Sequence, residues 1–188
     1  MTTDALPGAD GRLRCPWGLS TPEYVAYHDT EWGRPVKTVD GLYERLTLEA
    51  FQSGLSWITI LRKRDNFRKA FAGFDPDQVA GFGPADADRL MDDTGIVRNR
   101  AKIEAAIANA VVVQRMGESF AELIWSYAQP DRPRPATNAE VPAQTPESVA
   151  LSKALKREGI RFFGPTTAYA MMQAVGLVND HLADCETG

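Results

Sequence analysis

Apolar residues recur every three or four positions along most of the chain, which is the spacing of one face of an α-helix. We predict helices that begin at Asp40 and Ser56, both N-capping residue types, and an amphipathic helix over about 100–116. Another helix is predicted to start at 21–23. Further helices are predicted over 118–127, 145–158 and about 165–176. Because no segment alternates as a strand does and no repeat is present, the sequence predicts an all-α fold.

A proline-rich segment over 129–148 interrupts the helical pattern and holds five of the twelve prolines. Helical sequence flanks it on both sides, so we interpret it as a connection inside one domain. A chain of 188 residues is long enough for one substantial core. We therefore predict a single globular helical domain over 14–188, preceded by an N-terminal extension over 1–13.

Composition and charge narrow the class of protein. No apolar run is long enough to span a membrane, and the start of the chain lacks the features of a signal peptide. We expect a cytoplasmic monomer with no membrane partner. The net charge of −4 argues against a nonspecific nucleic-acid coat. Basic residues nevertheless concentrate at 61–69, 98–102 and 153–161, and these clusters are either solvated helix faces or one local basic surface.

The chain contains only two cysteines and two histidines, and they fall in pairs near its two ends. Cys15 and His28 lie near the start, and His181 and Cys185 lie near the end. Two thiolates with two imidazoles suit tetrahedral zinc, and in a helix His181 and Cys185 would share a face. The spacing is not that of a zinc finger, so four unrelated residues are the alternative. Zinc bound by all four would be structural, because no position is left for water.

Glu49 is a carboxylate on the predicted apolar face that carries Leu42 and Leu46. Burying an unpaired carboxylate is expensive. The side chain therefore either reaches water or an arginine at the helix edge, or lines a pocket and accepts hydrogen bonds from a bound base. Aromatic residues concentrate in the same third of the chain, namely Trp17, Tyr24, Tyr27, Trp32 and Trp57. They either belong to the core or form a slot for a flat cationic heterocycle.

Several stretches resemble the DNA-3-methyladenine glycosylase I family. They are AYHDTEWGRP (26–35), LEAFQSGLSWITILRKRDNFRKAF (48–71), GIVRNRAKIEAAIANA (95–110) and ALSKALKREGIRFFGPTTAYAMMQAVGLVNDH (150–181), and the resemblance covers about 14–185. It implies a monofunctional enzyme that flips 3-methyladenine out of alkylated double-stranded DNA and hydrolyses its N-glycosidic bond. Free 3-methyladenine would be the product, in the first step of base excision repair.

The resemblance also assigns residues. It implies a helix–hairpin–helix fold with its hairpin at about 150–177, whose termini are joined by zinc on Cys15, His28, His181 and Cys185. The family's essential carboxylate corresponds to Glu49. The aromatic residues of its base pocket correspond to Tyr27 and Trp57, with Trp17, Tyr24 and Trp32 nearby.

For DNA contacts, backbone N–H groups around Gly164 would face a phosphate. Positive charge would come from Lys153, Lys156, Arg157 and Arg161. Leu55, next to Gly54, would be the wedge that fills the vacated stack. Many relatives in the wider superfamily carry a catalytic aspartate where Asn179 stands here, and we assign no chemistry to the adjacent Asp180. Two alternatives stay open: a non-catalytic reader of alkylated DNA, and a zinc-stapled helical interaction protein.

Overall fold

Nine α-helices account for most of the part of the chain that the computed structural model describes, residues 3–188. They are α1 (Pro22–Thr30), α2 (Val39–Gln52), α3 (Trp57–Ala70), α4 (Pro76–Ala80), α5 (Pro84–Asp92), α6 (Arg100–Met116), α7 (Glu118–Trp125), α8 (Pro146–Glu158) and α9 (Pro165–Ala174). The predicted helical fold is confirmed. No helix among the described residues has the length and apolar character needed to cross a membrane.

One short antiparallel ladder accompanies the helices, formed by β1 (Leu6–Pro7) and β2 (Leu13–Arg14). The sequence analysis missed it because two residues are too few to show an alternating pattern. The ladder lies in and beside the segment expected to be an N-terminal extension, and Ala5 there is buried against Cys15 and Leu182. The division of the chain at residue 13 stays a prediction.

The core is built around α2, which packs against α3, α6, α7 and α9. Its residues Leu42, Leu46 and Phe51 are fully buried. The Phe51 ring meets the Phe67 ring of α3 edge-on, with 4.8 Å between centroids. A helix that is covered on several sides must bury whatever polar groups it carries, and α2 carries Glu49.

Two predicted helix starts differ in detail from the structure. The helix α2 begins at Val39 rather than Asp40, because the hydroxyl of Thr38 accepts a bond from the N–H of Gly41 at 3.2 Å. Ser56 does precede α3, but its hydroxyl bonds to the Thr59 hydroxyl at 2.9 Å instead of capping the backbone.

The C-terminal segment after α9 is not helical, so His181 and Cys185 do not share the helix face that a helix there would have given them. The chain turns at Gly176, where φ is +78°, and then folds back over the N-terminal region. The N–H of Glu186 donates to the carbonyl of Leu13 at 3.0 Å. Arg134, from the proline-rich segment, donates to the carbonyl of Cys185 at 2.6 Å. These bonds tie the two ends of the chain together.

Lys102 of α6 satisfies the carbonyl groups at the end of α2. Its ammonium Nζ donates to the carbonyls of Phe51 at 2.9 Å and Ser53 at 2.7 Å, and the side chain is buried. The last carbonyls of a helix have no partner within the helix. The lysine therefore fixes the backbone just before Gly54 and Leu55.

We predict that Lys102→Met lowers the free energy of unfolding by about 1–3 kcal/mol, because it leaves these carbonyl groups without a donor. Urea denaturation measures the change. Lys63→Met is the matched control: Lys63 also donates to two carbonyls, those of Thr94 and Gly95, but from a more exposed position. The control should change stability by about 0.5 kcal/mol or less. Equal effects of the two substitutions would contradict the assignment.

Candidate functional site

A cavity of about 450 Å³ opens between α1, α2, α3 and α9. It brings together all six residues that the sequence analysis placed around a bound base: Trp17, Tyr24, Tyr27, Trp32, Glu49 and Trp57. The remaining lining residues are Cys15, Gln52, Asn138, Val141, Ala170, Gln173 and Asp180. Its size is within the usual range for small-molecule sites.

The aromatic rings form a continuous wall. Trp17 meets Tyr24 and Trp32 edge-on, with centroid distances of 5.7 Å and 4.9 Å. Tyr27 and Trp57 face each other at 5.5 Å with their planes inclined by 45°. The indole N–H of Trp57 is buried and has no hydrogen-bond partner within residues 3–188. A flat ligand in the cavity therefore meets aromatic rings.

Glu49 extends from α2 into this cavity and is 5% exposed. Burial raises the pKa of its carboxyl group to about 8, although the positive charge of Arg45 acts in the opposite direction. No hydrogen bond to this carboxyl group is found in the described part of the chain. A buried carboxyl group without a protein donor is a candidate for binding a positively charged ligand.

The sequence analysis missed several lining residues. Gln52 stands three positions after Glu49 and could have been found, since residues i and i+3 share a helix face. Gln173 of α9 gave no such signal, because it reaches the cavity only through the packing of α9 on α2. Its amide donates to the carboxylate of Asp180 at 2.8 Å. Asp180 also accepts from the Tyr169 hydroxyl and pairs with Arg132, so its charge is compensated inside the protein.

A buried group of Cys15, His28 and Cys185 lies behind the aromatic wall and could bind a metal. Their donor atoms lie within 4.8 Å of one another. The His28 ring places Nδ1 2.8 Å from a carboxylate oxygen of Asp29 and turns Nε2 toward the Cys185 sulfur at 3.6 Å. Arg14 holds that carboxylate with three further bonds, which its Nε and Nη2 atoms donate. A carboxylate that orients a histidine is the usual second contact of a metal-binding imidazole.

His181 stands beside this group rather than inside the same 4.8 Å set. Its ring centroid is 4.9 Å from that of His28, and its Nδ1 is 3.1 Å from the Asn179 side-chain oxygen. Its Nε2 is buried without a partner within residues 3–188. Burial lowers the pKa of the ring to about 4, which favours the neutral form that binds metals. Gly33, with φ of +78°, allows this approach, since a Cβ there would lie 2.9 Å from the ring.

The residues predicted to touch DNA lie outside the cavity. A groove around the turn between α8 and α9 brings together Lys153, Lys156, Arg161 and Gly164, but not Arg157. Leu55 is 41% exposed, next to Gly54, at the turn between α2 and α3.

The other basic clusters are mostly engaged within the protein. Arg64 and Arg68 pair with Glu31 and Glu44, and Arg100 pairs with Asp88. These clusters fit the interpretation of helix faces with internal partners, whereas no ion pair is found for Lys153, Lys156 or Arg161 among the described residues.

An aromatic cavity with a buried acid, on a helical scaffold that also carries a basic groove, is the kind of site expected of an α-helical protein that recognises a flat heterocycle. The chain belongs to the methyladenine glycosylase family, whose sequence model matches residues 17–188. The resemblance found in the sequence is thereby confirmed.

Individual relatives agree. DNA-3-methyladenine glycosylase 1 of Escherichia coli is 47% identical over 92% of this chain and 95% of its own length. DNA-3-methyladenine glycosylase of Haemophilus influenzae is 45% identical over 92% of this chain and 96% of its own length. A crystal structure of 3-methyladenine DNA glycosylase I superposes with a TM-score of 0.89 at 47% identity, covering 92% of this chain and 98% of that one. A structure of the Staphylococcus aureus enzyme that concerns 3-methyladenine recognition superposes with a TM-score of 0.83 at 35% identity. It covers 93% of this chain and 95% of that one.

We predict that the purified protein carries one metal ion per chain and that Cys185→Ser loses it, because a hydroxyl is a much poorer ligand than a thiolate. Elemental analysis by mass spectrometry measures the content. Asp184→Ser, an exposed neighbour in the same segment, is the control and should keep the metal. A chelator should lower the melting temperature of the wild-type protein. Equal metal content in both variants would contradict the assignment.

We also predict that Glu49 makes the stability of the protein depend on pH. Its pKa rises from 4.5 to about 8 on folding, so between these values the unfolded chain releases a proton that the folded protein keeps. Stability falls as pH rises through this window. Glu49→Gln, which cannot ionise, should therefore gain on the order of 3 kcal/mol over the wild type between about pH 5 and about pH 8. Urea denaturation at both pH values gives the difference, and a difference independent of pH would refute the burial of this carboxyl group.

Proposed function

We propose that this protein is a monofunctional DNA glycosylase that removes 3-methyladenine from alkylated double-stranded DNA, as the first step of base excision repair. The observation that carries the proposal is the position of Glu49. Its carboxyl group is buried and lacks a protein donor, and it lies in a cavity whose walls are aromatic rings. Relatives that are 45–47% identical bear the name of this activity.

The charge of the lesion explains why a buried acid is useful. Methylation at N3 makes adenine in DNA a fixed cation, which leaves the sugar as a neutral base. A positive charge within a few ångströms favours the ionised form of a carboxyl group. The cationic base therefore converts Glu49 to its carboxylate and binds to it, whereas unmodified adenine offers no such charge. Selection between the two rests on electrostatics at a carboxyl group that is itself buried.

The aromatic wall supplies the rest of base recognition. We assign stacking against the base to Trp57 and Trp17, and a contact with the sugar or the base edge to Tyr27. Glu49 accepts from the exocyclic amine. Tyr24 and Trp32 complete the wall behind Trp17. Because the leaving group is already positively charged, the enzyme needs less acid catalysis than one that removes a normal purine, and its main task is to flip and recognise the nucleotide.

The groove beside the turn between α8 and α9 is our proposed DNA contact, as a helix–hairpin–helix. Gly164 precedes Pro165 at the start of α9, where free N–H groups and the helix dipole favour a phosphate. Lys153, Lys156 and Arg161 line the groove and add positive charge, with Arg157 adjacent. Such contacts position DNA without reading its sequence. Leu55 enters the stack where the flipped base stood, an insertion that accompanies unstacking.

The cavity offers rings, amides and carboxyl groups, with no amine among its lining residues in the described part of the chain. Water is therefore the proposed nucleophile, and the product is an abasic site in an unbroken strand. We expect the enzyme to act as a monomer in the cytoplasm.

We further propose that the metal is zinc and that His181 is its fourth ligand after Cys15, His28 and Cys185. Two thiolates and two imidazoles form a closed tetrahedral set. The buried, unpartnered Nε2 of His181 supports this assignment. Zinc there would hold the C-terminal segment against α1 and the aromatic wall, and would take no part in the hydrolysis.

We predict that Glu49→Gln reduces release of 3-methyladenine from methylated duplex DNA at least a hundredfold, because the neutral amide cannot compensate the positive charge of the lesion. Chromatography of the released bases measures excision. Glu44→Gln, on the same helix but paired with Arg68, is the matched control and should retain the wild-type rate. Metal content should be unchanged in both variants.

The same assay separates the alternatives. A reader of alkylated DNA would bind the methylated duplex and release no base. A helical interaction protein would not bind free 3-methyladenine, and its tryptophan fluorescence would not be quenched by it. Full excision by Glu49→Gln would remove the residue from its proposed role.

A further inference from the structure

Three charged residues, Glu31, Arg45 and Arg64, form a cluster that includes the residue one helical turn before Glu49. Arg45 lies one helical turn before Glu49 on α2 and is 8% exposed. Its Nη2 donates to a carboxylate oxygen of Glu31 at 2.9 Å. The same Glu31 accepts two bonds from Arg64 of α3, at 2.5 Å and 2.8 Å. One carboxylate is thus shared by two guanidinium groups.

This sharing leaves one positive charge without compensation. Nη1 of Arg45 is buried and has no hydrogen-bond partner within residues 3–188. An uncompensated buried charge is costly. Residues i and i+4 of a helix lie on the same face, so the next acidic group that Arg45 meets along α2 is Glu49. The guanidinium group also lies over the ring of Tyr27, 5.9 Å from its centroid, at the wall of the same cavity.

We propose that Arg45 is a positioning residue for base recognition: its uncompensated charge controls how readily Glu49 becomes a carboxylate, and Glu31 limits the strength of that control. This inference rests on the proposed role of Glu49 and deepens it. The four groups Glu31, Arg45, Arg64 and Glu49 are neutral in sum when Glu49 is ionised. Arg45 thus provides, inside the protein, part of the positive charge that favours the ionised form of Glu49. The positively charged lesion provides the rest.

Other charged or titratable groups around the cavity do not take this role. From α1 the phenols of Tyr24 and Tyr27 line the wall, and from the C-terminal segment Asp180 does so, with its charge met by Arg132. From α3, Arg64 is engaged by Glu31. Cys15 lies in the metal-binding group. Among the described residues Arg45 is the cation that acts on Glu49, and it lowers the pKa of that carboxyl group against the larger, opposite effect of burial.

Two substitutions should move the acid side of the pH–rate profile in opposite directions. Arg45→Met removes the positive charge, so Glu49 ionises only at higher pH. The acid limb of the profile, where the rate rises with pH, should therefore shift to higher pH by about one pH unit or more. At a pH below the limb, that shift lowers excision about tenfold. Glu31→Gln frees both arginines from their partner, so the limb moves to lower pH. Arg45→Lys keeps the charge and should leave the limb near the wild-type position.

The experiment measures excision from methylated duplex DNA across pH for these variants, with Arg89→Met as control, since Arg89 pairs with Asp86 on α5 away from the cavity. General damage to the fold would lower the rate at every pH and could not shift the limb in opposite directions. Coincident limbs for the wild type, Arg45→Met and Glu31→Gln would overturn the proposal. If Arg45→Met did not fold, Glu31→Gln and Arg45→Lys would still decide it.

A second readout does not depend on catalysis. Carbon-13 NMR of the side-chain carboxyl groups, with the Glu49 signal assigned by its loss in Glu49→Gln, gives the titration midpoint directly. The midpoint should be higher in Arg45→Met and lower in Glu31→Gln than in the wild type. If the wild-type protein released no base while the midpoints moved this way, the proposed function would fail and the role of Arg45 would stand. Unmoved midpoints would refute that role regardless of activity.

Discussion

The burial of one ionisable group, the carboxyl of Glu49, is the constraint on which the site depends. It lies on the central helix of the core, and burial raises its pKa to about 8. In water the same group would be ionised at neutral pH and would bind any cation weakly. For a carboxyl group buried in this cavity, a positive charge nearby favours ionisation, so in the proposed function the group responds to a cationic base and not to a neutral one. In our proposal for Arg45, that residue supplies part of the charge and the ligand supplies the rest.

The two ends of the chain support this arrangement. The segment after α9 folds back on β2, and Cys185 meets Cys15 and His28 behind the aromatic wall. His28 neighbours Tyr27 in sequence, and its ring is 5.1 Å from Trp17. Contacts that hold His28 in place therefore also help to position Tyr27 and Trp17, which line the cavity. The candidate metal-binding group and the aromatic cavity thus adjoin each other, and Cys15 belongs to both.

Much of this organisation is visible in the sequence, for identifiable reasons. Helical periodicity and capping residues locate the helices, and the position of an acid on an apolar stripe is enough to mark Glu49. The scarcity of cysteine and histidine draws attention to Cys15, His28, His181 and Cys185, although their spacing alone leaves four unrelated residues as an alternative. What the sequence does not reveal depends on packing between distant segments. Gln173 and Asp180 reach the cavity through the docking of α9, and the bond from Lys102 to the end of α2 joins residues about fifty positions apart. The path of the chain after α9 could not be predicted either, because it is held by hydrogen bonds to Arg134 and to the N-terminal strand, which are distant in sequence.

A crystal structure of this protein with 3-methyladenine bound tests the central claim most directly. The account predicts the base in the cavity, with its ring against Trp57 or Trp17 and with the Glu49 carboxylate within hydrogen-bonding distance, about 2.6–3.2 Å, of the exocyclic amine. A base bound outside the cavity, or bound inside it while the Glu49 carboxyl group faces away, would contradict the account.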